Sequence, residues 1–226
     1  MKRDYVNVIY NEIAKPYSLY PKYLTSYIAK RFNFFPKQKL LEVGCGRGEF
    51  ANGFMSLGLD VYCVDQSSAA KKLYPKLKHE EINLEEDSIP FPDNFFDIVY
   101  SKSVVEHFYF PEKIFNEMYR VLKPGGTLIT LCPDWEVNYK IYFEDFTHRT
   151  PFMKTSLRDI QLMCGFTEVK VFKFTQLPIV WNAENFFKIF TEATRLFIPD
   201  YFKKYSKWVR FSKEIMLFSS SVKPKV

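Results

Sequence analysis

Residues 40–50 read "LLEVGCGRGEF". An apolar run closes on Glu42 and Val43, and glycines stand at every second position after it, Gly44, Gly46 and Gly48. Glycines this dense permit positive φ and bring a backbone close to a ligand or to another segment. In an open parallel sheet, a glycine turn after the first strand lies at the carboxyl end of the strands, where ligands bind.

The flanking sequence supplies such a sheet. Strand-like runs stand at 39–43 ("KLLEV"), 60–65 ("DVYCVD"), 79–83 ("HEEIN"), 96–101 ("FDIVYS") and 126–132 ("GTLITLC"), with helical segments at 48–57, 67–73 and 111–122 between them. The last of these opens on Pro111, carries the apolar stripe Ile114, Met118, Val121 and Leu122, and is expected to stop at Pro124-Gly125-Gly126. Apolar strands separated by helices predict βαβ units and a sheet covered on both faces. A helix over 154–164 leads to strands at 166–174 and 214–222. Helices over 4–14 and 21–33, parted by Pro16 and Pro21, are expected to form an N-terminal cover within residues 1–36. Residues 177–211 read as a helical insert, rich in Phe and Tyr and divided by Pro199. The whole of 1–226 is expected to be one domain, as its length allows.

Composition narrows the setting. From Trp181 onward nine Lys/Arg stand against four Asp/Glu, so this segment holds five of the six net positive charges. That bias suits an anionic substrate or membrane surface, as it suits solvated helix faces. Cys45, Cys63, Cys132 and Cys164 form no CxxC pair and have no histidine cluster beside them, so no metal is expected. The thiols are expected to be reduced and the protein cytoplasmic. The N-terminus lacks a signal-peptide apolar region, and no run approaches the roughly 18–20 apolar residues of a membrane span.

The glycine turn is neither of two common phosphate motifs. A G-x-G-x-x-G fingerprint counted from Gly44, or a P-loop, needs glycine at position 49, where Glu49 stands, and no Lys-Ser/Thr follows. Acids on both sides, Glu42 and Glu49, suit a cationic ligand. Asp65 closes the second strand, where an acid takes the two hydroxyls of a ribose. S-adenosylmethionine satisfies these requirements, with its ammonium, sulfonium, ribose and adenine.

Four ordered blocks across 39–132 carry a family resemblance. "LLEVGCGRGEF", "VYCVDQS", "INLEEDSIPFPDNFFDIVYSKSVVEHF" and "MYRVLKPGGTLIT" resemble the successive motifs of class I S-adenosylmethionine-dependent methyltransferases, particularly the small-molecule group resembling ubiquinone and menaquinone methyltransferases. The resemblance implies a Rossmann-like doubly wound α/β fold: seven strands, mostly parallel with an antiparallel last strand, in three α/β/α layers. It implies that Glu42 orients the amino group of S-adenosylmethionine and that the Gly44-Cys45-Gly46 backbone admits its methionine portion. Asp65 then holds the ribose, Gln66 flanks the adenine, and Ser101 with Lys102 lies near the sulfonium. Where the family often has Asp before Leu or Ala, this chain has Asn83-Leu84, which leaves adenine recognition to the Asn83 side chain and the Leu84 backbone.

The same resemblance places the acceptor near "SVVEHF" (103–108) and "EDFTHRTPF" (144–152). His107 and His148 are the candidate bases, each equally readable as a packing histidine, and Glu106 shares that ambiguity. Asp145 is expected to orient His148, and Arg149 to hold an acceptor anion. His79, in an acidic run, is expected at the surface. Methyl transfer from a sulfonium expels a neutral thioether, so alignment matters most and a base helps chiefly a hydroxyl acceptor. The expected reaction is O-methylation of a small molecule, with a sugar or glycan precursor preferred over a quinone- or lipid-like acceptor. RNA methylation and a non-catalytic scaffold are the competing readings. No nucleic-acid partner is expected, a membrane or lipid-linked substrate would meet 177–211, and the protein would be a monomer or homodimer.

Overall fold

The computed structural model describes residues 5–9, 16–181 and 186–225. Helices α1 (Tyr5–Ile9) and α2 (Tyr20–Arg31) precede β1 (Lys39–Val43), α3 (Glu49–Ser56), β2 (Asp60–Asp65), α4 (Ala69–Leu73) and β3 (Lys78–Glu81). Next come β4 (Phe96–Lys102), α5 (Pro111–Val121), β5 (Leu122–Pro133), α6 (Trp135–Asn138) and α7 (Lys154–Met163). The chain finishes with β6 (Thr167–Phe174), α8 (Pro178–Trp181), α9 (Phe186–Phe197), α10 (Lys207–Lys213) and β7 (Met216–Val222). The expected helix over 4–14 lies partly outside the described residues.

The seven strands run in the order β3-β2-β1-β4-β5-β7-β6. β7 is antiparallel to both neighbours, and the pairs from β3 through β5 are parallel. This is the doubly wound sheet expected, and strand order reverses between β1 and β4. Val43 pairs with Val64 of β2 and Ser101 of β4, so three strand ends meet at the glycine turn.

Side-chain alternation builds a core on each face. Leu41, Val43, Val99 and Leu128 pack with Ile114, Phe115 and Met118 of α5 and Leu157 of α7. Leu40, Cys63, Ile98, Tyr100 and Ile129 pack with Leu24 and Ile28 of α2 and Phe54 of α3. Glu42, two residues from Leu40, therefore faces the α2–α3 layer.

Two elements depart from expectation. Pro124-Gly125-Gly126 ends no helix by itself: α5 stops at Val121 and β5 starts at once, with Leu122 opposite Phe96 and Thr127 opposite Ile98. The proline and glycines form an irregularity inside the strand, where a missing N–H and a positive φ at Gly125 are tolerated. His79 is buried on β3, 6% exposed, because its neighbours on either side are the residues that face water. Acidic neighbours concealed that alternation in the sequence.

The insert is a helical hairpin. Trp208 Nε1 donates to Thr194 Oγ1 at 2.9 Å, and Lys213 bridges Asp200 at 2.9 Å and the Arg195 carbonyl at 3.0 Å. Pro199 parts α9 from the 3-10 turn Asp200–Lys204. Among the described residues, no helix is long and apolar enough to cross a membrane.

Candidate functional site

Gly44, Gly46 and Gly48 all take positive φ, +73°, +53° and +79°, yet they serve three different ends. A Cβ on Gly44 would lie 2.3 Å from Val104 Cγ2, so the turn is pressed against the loop after β4. A Cβ on Gly48 would meet Ala70 of α4 at 2.9 Å, a packing requirement. At Gly46 the nearest such neighbour is the Tyr5 hydroxyl at 3.8 Å, so this is the glycine whose bare backbone lies open. Cys45 turns its sulfur into the core toward Cys63, and only its backbone can meet a ligand.

Two buried carboxyls stand at this turn. Glu42 is 2% exposed, and among the described residues no donor reaches its Oε2. Burial pushes its carboxyl well above the usual range; the Ala51 amide and Lys102 oppose the rise, while Asp65 and Glu49 add to it. Asp65 accepts from the Gly46 amide at 2.7 Å, the Ser67 amide at 2.8 Å, and the Tyr5 hydroxyl at 2.9 and 3.0 Å across both oxygens. Its carboxyl is also raised, by burial first, against the pull of those donors. The Tyr5 hydroxyl is a stand-in that shows what Asp65 accepts here, an O–H bridged by its two oxygens. Glu49 is different: Arg47 pairs with it at 2.6 Å, so the cationic character required of a ligand rests on Glu42 and Asp65.

The remaining cofactor-side residues are distributed unevenly. Ser101 is wholly buried, and its Oγ has no partner among the described residues. Gln66 is exposed beside Asp65. Asn83 Oδ1 accepts from the Glu85 amide at 3.1 Å, so the turn already uses the oxygen, while Leu84 packs half-buried on the core.

The second half of the site is held against the first by Val104, which touches Gly44 and precedes the 3-10 turn Val105–His107. The amides of Arg149 and Thr150 both donate to the Glu106 carbonyl, at 2.8 and 3.0 Å, and clamp the 145–150 loop onto that turn. The clamp brings His107 and His148 together with ring centroids 4.9 Å apart. Thr147 Oγ1 donates to Asp145 at 2.5 Å and lies 2.9 Å from His107 Nδ1, so in the neutral ring Nδ1 carries the proton and Nε2 keeps its lone pair. His148 Nδ1 faces the Tyr142 carbonyl at 2.5 Å, an acceptor, so Nδ1 is the donor there and the neutral ring keeps its lone pair on Nε2. Asp145 steers His107 through Thr147, and it meets His148 by accepting that residue's amide on its carbonyl at 3.1 Å and by its charge, while the Tyr142 carbonyl fixes the His148 ring. Arg149 Nη1 donates to the carbonyls of Phe146 and His148, and the guanidinium stacks 5.1 Å over Tyr109.

Glu106 is fully buried, and among the described residues neither carboxyl oxygen has a hydrogen-bond partner. Burial pushes its carboxyl up to about 8; its own amide, Lys102 and the Val104 amide pull down, and Asp145 adds to the rise. Burial and the neighbouring His148 hold the His107 imidazole below its ordinary value. Tyr5 and Tyr142 escaped sequence reasoning, since each meets its partner only through the fold.

Residues 41–130 match a family model described as "Methyltransferase domain". Those residues form a methyltransferase domain. It is 32% identical over 161 residues to Phosphoethanolamine N-methyltransferase 2 of Caenorhabditis elegans, covering 66% of this chain and 37% of that protein. It is 35% identical over 115 residues to the Ubiquinone biosynthesis O-methyltransferase of Bradyrhizobium sp. (strain ORS 278), covering 48% and 46%. Among solved structures, Haemonchus contortus Phosphoethanolamine N-methyltransferase 2 in complex with S-adenosyl-L-methionine matches with a TM-score of 0.67 at 20% identity, over 99% of this chain and 60% of that one. The chain spans less than half the length of those two curated relatives.

The methyltransferase domain's own residues fit the cofactor. The orphaned buried oxygen of Glu42 suits an ammonium, Asp65 already accepts a hydroxyl, and Gly46 leaves backbone uncovered between them.

Proposed function

We propose that the protein methylates an oxygen atom of a small hydroxyl-bearing acceptor, a sugar or glycan precursor, with a quinone- or lipid-like molecule as the alternative. Bound S-adenosylmethionine supplies an electrophilic methyl group on a sulfonium whose leaving group is a neutral thioether. Glu42 would hold the ammonium of that cofactor and Asp65 its ribose, and the Gly44–Val104 contact fixes the turn beside the acceptor half. The observation that carries the oxygen reading is the paired histidines: each neutral ring has its Nδ1 proton committed to an oxygen and keeps a lone pair on Nε2. A hydroxyl gains most from such lone pairs, because it must lose its proton as the new C–O bond forms. The test is product analysis with isotopically labelled S-adenosylmethionine over panels of sugars, glycan precursors, phenols and amines. An O-methylated product is expected, with kcat lowered about 10²–10⁴-fold by His148→Ala. Exclusively N-methylated products would overturn the reading.

The helical insert supports a membrane or lipid-linked contact. α9 exposes Ile189, Phe190, Leu196 and Phe197, positions one and seven apart that share one helical face. Lys203 and Lys204 follow on the 3-10 turn and Lys207 and Arg210 on α10, with Lys203 near Asp200 and Arg210 paired to Glu214, so the insert joins exposed apolar and basic groups as a lipid interface requires. The protein is expected to sediment with vesicles containing phosphatidylserine but not with pure phosphatidylcholine at low salt, and Phe197→Asp to weaken that binding severalfold. Equal recovery with both lipids, or no effect of the substitution, would count against the contact.

A further inference from the structure

We propose that Glu106, His107 and His148 form a binding site for one divalent transition-metal ion, which would hold and polarise the acceptor hydroxyl. The proposal deepens the oxygen-acceptor reading and rests on it for the substrate, but not for the metal; with an ion bound, the histidine lone pairs would be its ligands, and the ion rather than a free imidazole would ease loss of the hydroxyl proton to water.

One ligand-capable atom from each of the three side chains lies within 4.8 Å of the others. Bonds from a transition ion to imidazole nitrogen or carboxylate oxygen are about 2.0–2.2 Å, so donors around one ion stand roughly 3–4 Å apart. Closing the cluster onto an ion needs side-chain shifts of only about an ångström by that geometry. Both histidines are prepared for this. A ligating imidazole characteristically gives its other ring N–H to a carbonyl or a carboxylate-linked group, which fixes ring and tautomer. His148 does so through the Tyr142 carbonyl, and His107 through Thr147, whose hydroxyl is in turn tied to Asp145.

Glu106 is the second, independent observation. A wholly buried carboxyl that has only its own amide and the Val104 amide nearby, and forms no full hydrogen bond among the described residues, is expensive to keep. A residue that only filled space would be served better by Gln or Leu. A cation between Glu106 and the histidines would satisfy the carboxylate. The two histidines are half-buried, and so leave a side of the cluster for further ligands such as an acceptor oxygen. Two nitrogens and one carboxylate favour Mn²⁺, Fe²⁺, Co²⁺ or Zn²⁺ over Ca²⁺. The scattered cysteines that argued against zinc do not bear on this site, because its ligands are nitrogen and oxygen. His107 and His148 stand 41 positions apart in the chain, so no sequence spacing could display them as a pair.

The experiment uses the full chain, stripped with chelator and dialysed, titrated with Mn²⁺ by calorimetry and followed by electron paramagnetic resonance. One Mn²⁺ per chain is expected, with the free-ion signal lost on binding. Glu106→Gln and His148→Ala should each weaken binding about 10–100-fold, while the exposed Asp159→Asn leaves it unchanged. Binding of S-adenosylmethionine by each variant, measured in parallel, shows that the fold is intact. If folded wild-type protein takes up no Mn²⁺, Co²⁺ or Zn²⁺, or if Glu106→Gln binds as the wild type does, the metal site is wrong. In that case a retained O-methyltransferase activity sensitive to His148→Ala would leave the oxygen-acceptor reading standing. Specific metal binding together with purely N-methylated products would leave the metal site and remove that reading.

Discussion

Gly44→Ala is expected to destabilise the protein by about 2–5 kcal/mol. The left-handed backbone at φ +73° costs a side-chain-bearing residue about 1–2 kcal/mol. Overpacking adds about 1–3 kcal/mol, because the new methyl would sit 2.3 Å from Val104 Cγ2. Val104 is 8% exposed and branched at Cβ, so it has little freedom to swing aside. Urea denaturation followed by circular dichroism measures the loss. A cycle separates the two causes. Val104→Ala should relieve the clash but not the backbone strain, so the double variant should be more stable than the sum of single effects predicts, by about 1–3 kcal/mol. Additive effects would mean that Val104 is not the obstacle. Gly46→Ala, whose nearest neighbour would be 3.8 Å away, should lose only the backbone component and show its effect instead in cofactor affinity.

This contrast marks how far the sequence could be followed. Glycine spacing showed that the turn was tight, and the strands on either side followed from apolar runs bounded by that turn. It did not show which glycine meets a ligand and which meets protein, because Val104 and Ala70 approach from segments 60 and 22 positions downstream. β3 was the weakest strand in the sequence, since an acidic run with one buried histidine gives little hydrophobic signal. Charge was misleading at Glu49 for a related reason: a formal acid beside the turn is neutralised by Arg47, only two residues away. The acceptor half was legible as two separate histidines. Their partnership depends on two backbone amides donating to the Glu106 carbonyl, and backbone geometry of that kind leaves no trace in residue type.

Glu42→Gln is expected to weaken S-adenosylmethionine binding about 10–150-fold at pH above the Glu42 titration, the loss of one charge-assisted hydrogen bond worth about 1.5–3 kcal/mol. The sign of the pH dependence follows from burial. Glu42 titrates well above an ordinary carboxyl, because burial favours its protonated form when no ligand is bound. A cationic ammonium favours the carboxylate, so binding lowers the pKa and releases a proton. Affinity should therefore rise with pH through the free-protein titration of Glu42 and level off above it. Asp65 and Glu49 push that titration upward, whereas Lys102 and the Ala51 amide draw it down. Calorimetry in two buffers of different ionisation enthalpy measures the released proton directly. Glutamine at this position should abolish the release and flatten the profile. Should the release persist in the variant, the titrating group is Asp65, whose carboxyl is raised by the same burial and held at the same turn.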